Sequence, residues 1–537
     1  MGTAMGTAMG TDMKNSTILL SRTTGLVIAC LWTNAAIAQE PPALNSGTQS
    51  QAFVVVPRFT LTETWTDNVA IGGGQNNKES GFITQLAPGI RIDAKTARLK
   101  AYFDYALTGI FYSTSSANSQ TQNALNTFGT LEAISNWMYL DFSGLIAQQA
   151  ISAFGAQSPS NANVNTNSTE TSTYRLSPYI RGQLAGAADY SLRYTWSTTQ
   201  SNASVASDIE LSSWAGQLRG STPFQNLKWS IDGTQQNASY SRGRATEADR
   251  LYAIGTYTIV PQFRVSLSGG QESNNYASQN VEGKLTYGYG FDWTPTERTQ
   301  ISAFKERRFF GDGHRYSLSH RFPLSSIRYS DTKDVSVLPD QFSSVGLGTV
   351  FDLFRQICSQ QLSSIYTDPN QLEQAANTCA TDLITRSGIP ANTQVTSSFL
   401  SSRATVQRSQ QLALVVQGTR NTVTVLFNRN ESQSILASTT VFDDFNNTNN
   451  IRQRGVSVNL SHQLSAISSL NFMASRQEST GTGISTLKAT TMMYQASLTS
   501  KLGAKTNGGL TIRRTEFDST FSPYTEHAIV GTISVIF

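Results

Sequence analysis

Two histidines, His314 and His320, share a short stretch with two carboxylates: Glu306-Arg-Arg-Phe-Phe-Gly-Asp312-Gly-His314, then Ser319-His-Arg321. An imidazole held against a carboxylate can take up or release a proton near neutral pH, which is the chemistry of a hydrolase acting on lipid or glycan. The sequence has neither a G-x-S-x-G nucleophile elbow nor an H-E-x-x-H zinc signature. The histidines therefore read as hydrogen-bonding residues near a rim, not as a catalytic pair. Asp443-Asp444-Phe-Asn446-Asn447 offers oxygen ligands without the spacing of a calcium loop, and reads as a solvated acidic loop. Gly72-Gly-Gly74 precedes no helix and is a loop, not a phosphate cradle. No catalytic residue, no metal site and no cofactor is expected.

Cysteine is the other reactive type. Once an export leader is removed, only Cys358 and Cys379 remain, and in an oxidising compartment such a pair is expected to form a disulfide. Around them, from 334 to 398, the chain changes character. Val350 to Cys358 and Leu372 to Ile384 place apolar residues at helical spacing, separated by Asp368-Pro369-Asn370. The expectation is a helical hairpin stapled by the two cysteines and hung from the outer rim. It would cap a pore, fold into it, or stand as a mobile surface insertion.

The rest of the chain reads as strand. Ala188, Tyr190, Leu192, Tyr194 and Trp196 alternate with Asp189, Ser191, Arg193 and Thr195. Leu285 to Trp293 and Leu99 to Leu107 repeat the pattern, a period of two that only a pleated strand satisfies. Tight turns at 95–96, 135–136, 185–186, 295–296, 418–421, 465–466 and 503–504 alternate with polar loops near 69–79, 113–122, 150–170, 198–207, 432–450 and 518–524. Short turns on one rim and long loops on the other, over about 22 strands, describe a transmembrane antiparallel β-barrel, all-β in class. The last strand ends on Ile533, Val535 and Phe537, an apolar face with a terminal aromatic. It is expected to close the barrel against the first strand and to be read by the barrel-assembly machinery. A soluble sandwich or propeller would also alternate, but no blade-length repeat is present.

Composition agrees. Charged residues make up 14% and hydrophobic residues 39%, too weakly charged for an ordinary soluble protein and too polar for a helical membrane protein. A net charge of +4 with scattered Lys and Arg argues against nucleic acid as a partner. Residues 1–38 read as a cleaved signal peptide, with Met13 as an alternative start. Lys14 and Arg22 are its basic region, Gly25 to Trp32 its apolar core, and Ala36 and Ala38 its cleavage residues. A lipid-modified Cys30 is the lesser alternative. A polar segment, 39–51, leads into a barrel of two parts, 52–333 and 399–537, on either side of the insertion. The residues alternating inward are Arg175, Arg181, Arg193, Lys228, Arg250, Arg264 and Lys284, against Asp104, Asp189, Asp232 and Asp292. Such a mixed wall is hydrated and either lines a pore or satisfies itself.

Several stretches resemble the outer-membrane β-barrel proteins associated with the PEP-CTERM/exosortase system. They are Glu63-Thr-Trp-Thr-Asp-Asn-Val69, Gln148-Gln-Ala-Ile-Ser-Ala-Phe-Gly-Ala-Gln157, Glu306-Arg-Arg-Phe-Phe-Gly311 with His314 and Ser319-His-Arg321, and Gln410-Gln-Leu-Ala-Leu414. The likeness extends over about Pro57 to Phe537. It implies a non-enzymatic barrel in the outer membrane of a Gram-negative bacterium, in contact with outer-membrane lipid. That barrel would be a conduit or scaffold for exopolysaccharide export or assembly beside a protein-sorting system, with polysaccharide-export components as partners. The rival expectations are a general diffusion porin or nutrient channel, an outer-membrane hydrolase, and an adhesin.

Overall fold

A computed structural model describes residues 52–71, 78–114, 117–184, 186–203, 206–337, 376, 399–435, 443–483, 485–520 and 522–537. The leader 1–38 with Ala36 and Ala38, the polar segment 39–51, and both Cys358 and Cys379 lie outside the described residues.

Twenty-two antiparallel strands form one sheet that closes on itself. They are β1 (Phe53–Thr66), β2 (Gly81–Lys95), β3 (Leu99–Tyr112), β4 (Gln120–Ile134), β5 (Met138–Ala150), β6 (Ser168–Leu184), β7 (Ala188–Ser201), β8 (Ile209–Ser221), β9 (Leu227–Tyr240), β10 (Thr246–Val260) and β11 (Phe263–Asn274). The second half comprises β12 (Glu282–Thr296), β13 (Thr299–Arg308), β14 (Gly311–Arg321), β15 (Ser325–Ser336), β16 (Thr405–Gln417), β17 (Asn421–Ser434), β18 (Asn450–Gln463), β19 (Ser468–Thr482), β20 (Leu487–Lys501), β21 (Thr506–Ser519) and β22 (Tyr524–Ile536). Each strand pairs with its sequence neighbour. The seam joins β22 to β1 in a register running from Arg58 opposite Ile536 to Thr66 opposite Ala528. The Phe537 N–H donates to the Pro57 carbonyl at 3.0 Å, so the terminal aromatic is held in the seam. A closed sheet leaves no edge of unpaired N–H and C=O groups, which is what hydrocarbon demands.

The pleat sorts side chains onto two faces. Phe59, Leu61 and Trp65 of β1, Tyr174 and Leu176 of β6, Leu285, Tyr287 and Tyr289 of β12, and Ile529 and Ile533 of β22 are exposed and lie on one face by register. The opposite face carries the polar and charged residues and the buried cluster residues Tyr524, Phe517 and Ile451. The apolar set is therefore the exterior and the polar set the lumen wall, except toward the long-loop rim of β13 to β18, where charges such as Lys305, Arg408 and Arg452 also face outward. Twenty-two strands about 4.8 Å apart, tilted by about 40°, imply a backbone diameter of about 44 Å.

Connections at the rim of the chain termini are short, such as 96–98, 135–137, 297–298 and 502–505. Asn136 (φ 58°) and Gly186 (φ 70°) occupy the left-handed region there, which asparagine and glycine tolerate best. Register shifts at Glu132/Ile134, Thr258/Val260 and Trp293/Thr296 place bulges at this rim. Loops at the opposite rim are longer for the most part; Phe309 and Phe310 alone join β13 to β14, and 483–486 and 520–523 are short as well.

The break in the barrel begins later than the sequence suggested. β15 runs through Ser336 and pairs in register with β16 to that residue, so strand extends into the segment expected to be helical from 334. The helical stretches and the cysteine staple fall outside the described residues.

Candidate functional site

The lumen wall is built by alternation alone. Inward register positions hold Asp104 on β3, Arg175 and Arg181 on β6, Asp189 and Arg193 on β7, Lys228 and Asp232 on β9, Arg250 on β10, Arg264 on β11, and Lys284 and Asp292 on β12. Many are neutralised by partners the alternation could not specify. Arg58 meets Asp104 at 2.5 Å, Arg193 meets Asp141 at 2.7 Å, and Arg250 meets Glu306 at 2.5 Å. Arg264 lies 3.9 Å from Asp292, and Asp232 accepts from Ser230 at 2.9 Å and from Gln217. Arg181 donates to the Tyr139 hydroxyl at 3.1 Å and lies over that ring, while Arg193 covers Tyr179, which is itself stacked on Tyr139. Below the long loops, Arg308 grips Glu272 through two hydrogen bonds of 2.9 and 2.6 Å and also pairs with Asp334. Facing charges a few ångströms apart cancel each other's field while staying hydrated, so the wall is polar without strongly preferring either sign of solute.

The long loops meet over this lumen. Segment 151–167 leaves β5 and reaches β18 to β22. The Ser152 hydroxyl and the Ala153 N–H both donate to the Asp444 carboxylate at 2.7 Å. Asn163 donates to Glu526 at 2.7 Å, and the Tyr524 hydroxyl donates to the Gln157 carbonyl. Between these bonds Phe154, Phe399, Phe445, Ile451, Phe517 and Tyr524 form a buried apolar cluster. Going around the sheet, β5 and β19 are eight strands apart. Yet Phe154, four residues past β5, has its ring 2.8 Å from where a Cβ on Gly481 of β19 would stand. This segment therefore meets the far wall across a mouth much narrower than a circular section would give. A two-residue parallel pairing of Ala70–Ile71 with Val164–Asn165 ties it to the loop after β1 as well.

The partner loop is fixed by its own charges. Asp443 caps the single turn Asp444–Asn446 and receives Arg403 through Nε at 2.9 Å and Nη2 at 2.5 Å. Arg403 also bonds Asn446 at 2.8 Å. The chain on either side of the undescribed stretch is anchored too: Ala404 and Val337 join Tyr240 and Tyr276 in a second buried cluster, and the Tyr240 hydroxyl donates to the Val337 carbonyl at 2.7 Å. Burial pushes the Asp444 carboxyl up to about 6, against the two hydrogen bonds it accepts, and neighbouring Asp443 adds to the rise. Burial also raises Asp443, with Arg403 pulling the other way. Asp443 and Asp444 thus form a buried loop clasp, where the sequence suggested a solvated acidic loop.

The histidines are placed apart from all of this. His314 and His320 share β14 as expected, but both face outward, whereas Glu306 faces the lumen: the pleat that sets Lys305 opposite His314 sends its neighbour Glu306 to the other side. His314 bonds Asp331 at 2.9 Å, and His320 bonds the Thr299 hydroxyl at 2.8 Å. Asp312 pairs with Lys305 and Arg307. Each histidine thus has its own partner, and the two do not share one.

Alternation identified wall residues on the clean strands but missed Glu272, Glu306, Arg308, Arg513 and Glu526. In β13 the run Lys305-Glu306-Arg307-Arg308 is charged on both faces, so period two leaves no signal there. No protein-family model matches the chain, and no curated relative matches it. Among solved structures it is similar to the FrpB iron transporter from Neisseria meningitidis, with 8% identity, TM-score 0.48, 90% of this chain and 81% of that chain covered. It is also similar to the ferric preacinetobactin receptor BauA from Acinetobacter baumannii, with 10% identity, TM-score 0.45 and coverage of 90% and 80%. The siderophore receptor PirA from Pseudomonas aeruginosa gives 8% identity, TM-score 0.43 and the same coverage.

Proposed function

We propose that this chain is a non-enzymatic outer-membrane barrel that passes polar cargo through a mouth closed by its own loops. We place it, on the family resemblance, as a conduit or scaffold for exopolysaccharide export or assembly beside a PEP-CTERM/exosortase sorting system. The observation that carries the reading is the loop 151–167 held across the lumen by Asp444, Glu526 and the cluster around Phe154 and Tyr524. A wide polar tube suits hydrated cargo, and a clasp at its outer end suits passage on demand. An apolar exterior supports insertion in lipid, and the terminal strand with Ile533, Val535 and Phe537 suits recognition by the assembly machinery. Polysaccharide-export components are the expected partners.

Deleting the gene tests this reading. Polymer synthesis in the cytoplasm should continue while surface polymer and sorted proteins decline; unchanged levels of both at the surface would refute it. The diffusion-porin reading makes the opposite electrical forecast, a steady open conductance from the purified barrel, which the clasped mouth disfavours.

A further inference from the structure

The exterior is not uniform around the barrel. In β1 to β12 every Lys and Arg faces the lumen, as register shows for Arg58, Arg91, Arg175, Arg219, Arg250 and Lys284. In β13 to β21 cations appear on both faces: Arg308, Arg315, Arg328 and Arg513 face the lumen, and a further set faces outward. Paired positions running Lys305, His314, Lys333, Arg408, Glu431 and Arg452 on successive strands all face outward. Arg429 and Arg454 face each other one row nearer the periplasmic rim, and Arg476, Lys488 and Arg514 continue the belt. More than half of each of the last three side chains is exposed, and Arg454 has no ion-pair partner among the described residues. Carboxylates such as Glu431 and Glu478 are interspersed, but cations outnumber them. The outward charges of β1 to β12 are carboxylates alone: Glu63, Glu170, Glu210, Glu247 and Asp249.

A second observation concerns height. Along β12 and β3 the exterior stays apolar up to Leu285 and Phe111, eleven and twelve residues from the short-turn rim. At about 2.5 Å of vertical rise per tilted residue this is a band of about 28–30 Å. On β13, β15 and β18 outward charges begin at Lys305, Asp331 and Arg454, six to nine residues from that rim, a height of about 15–22 Å. The short turns expose large apolar side chains under both halves, Phe322, Leu324, Leu464 and Leu502 here and Ile134, Trp137, Leu184 and Phe224 under β1 to β12. Outward charge thus reaches roughly 10 Å closer to the short-turn rim on β13, β15 and β18 than on β3 and β12.

A cationic face has a natural occupant at this level. Most of the belt cations share carboxylates, Arg429 and Arg452 both meeting Glu431 and Arg476 and Lys488 both meeting Glu478. Each shared carboxylate leaves one positive charge in excess, and Arg454 adds another. Near hydrocarbon that excess needs anionic oxygen, and phosphate matches the guanidinium fork. The long-loop rim faces the outer leaflet, so the groups presented to it there are lipid headgroups. We propose that the outward face of β13 to β21 binds the phosphates of a phosphorylated glycolipid in the outer leaflet, on this half of the barrel only. This rests on the outer-membrane reading, since only an inserted barrel presents the belt to lipid.

The test uses the purified full chain in detergent, native mass spectrometry, and two probes: bisphosphorylated lipid A and the same lipid after phosphatase treatment. Wild type should retain the phosphorylated form about tenfold better. The combined variant Arg429→Gln, Arg454→Gln and Lys488→Gln should lose most of that preference, and Arg→Lys changes at 429 and 454 should keep it. Glu170→Gln with Glu210→Gln, on the opposite half, should change nothing. Equal retention of both probes by wild type, or an unaltered preference in the glutamine variant, overturns the proposal. Heat-modifiable gel mobility verifies that each variant is a folded barrel. A wild-type chain that stays monomeric in water without detergent defeats the outer-membrane reading itself and the proposal with it.

Discussion

The clasp at the mouth should be strongest in acid, and the substitution Asp444→Asn isolates the reason. Docked, the Asp444 carboxyl is pushed from the ordinary 3.8 up to about 6, burial being the main cause. A raised value in the docked state means that the protonated form docks better. The contribution is complete below about pH 4 and is lost as pH rises through 6. The difference corresponds to at most about 3 kcal/mol, or up to about 150-fold in the ratio of docked to undocked loop. The asparagine replacement would be neutral at every pH. Its side-chain carbonyl can accept from the Ala153 N–H, and its amide can donate to the Ser152 hydroxyl, so docking should persist and its pH dependence should shrink to what Asp443 contributes. Asp443 titrates in the same sense, being raised by burial against Arg403. Single-barrel conductance in planar bilayers between pH 4 and 8 reads the effect. Wild type should open increasingly above pH 6, the asparagine variant should stay closed throughout, and Asp444→Ala should open at all values by stranding two donors. A wild-type conductance flat across that range, or an asparagine variant that opens like wild type, would refute the reasoning.

Other consequences are more local. Arg308→Ala strands Glu272, which is 2% exposed, beside Glu306, and should cost about 3–5 kcal/mol, measured as a lower temperature for loss of folded gel mobility. Gly290→Val should impair assembly, because a Cβ there would stand 2.5 Å from the Ala303 carbonyl and 2.6 Å from the Phe304 ring; the folded fraction on refolding into micelles is the measurement. His314→Ala and His320→Ala, both on the lipid side, should leave surface-polymer levels in a complementation assay within error of wild type, whereas a hydrolase role requires their loss.

What the sequence disclosed follows from what period two can encode. Ala188 to Trp196 and Leu285 to Trp293 alternate without fault, because one face meets hydrocarbon and the other water, and their inward charges could be named from residue order alone. β13 could not be read that way, since Lys305 and Arg307 leave the apolar pattern on the outside while Glu306 and Arg308 build the wall inside. His314 shows the related error: closeness in sequence to Glu306 suggested a pair, yet the register sends the two side chains to opposite solvents. The clasp was illegible for a different reason. Ser152, Asp444 and Glu526 are far apart in the chain, and only closure of the ring brings β5 across from β18 to β22.

That closure also explains why the loops can bear so much. A two-stranded hairpin tip gains little by ordering itself, because the entropy of fixing its backbone is about 1–2 kcal/mol per residue. Segment 151–167 is ordered by burying Phe154 among Phe445, Phe517 and Tyr524, residues supplied by strands and a loop that the barrel already holds in place. The rigid ring thus makes the lid inexpensive to form, while its attachment rests on a few polar contacts, two of them to one carboxylate whose burial favours the protonated form more than water does. Losing those contacts would leave every strand pairing intact. The lid can therefore move without loosening the barrel, and a gate built this way needs only a change in charge at Asp444, or a competing donor for it, to shift its balance.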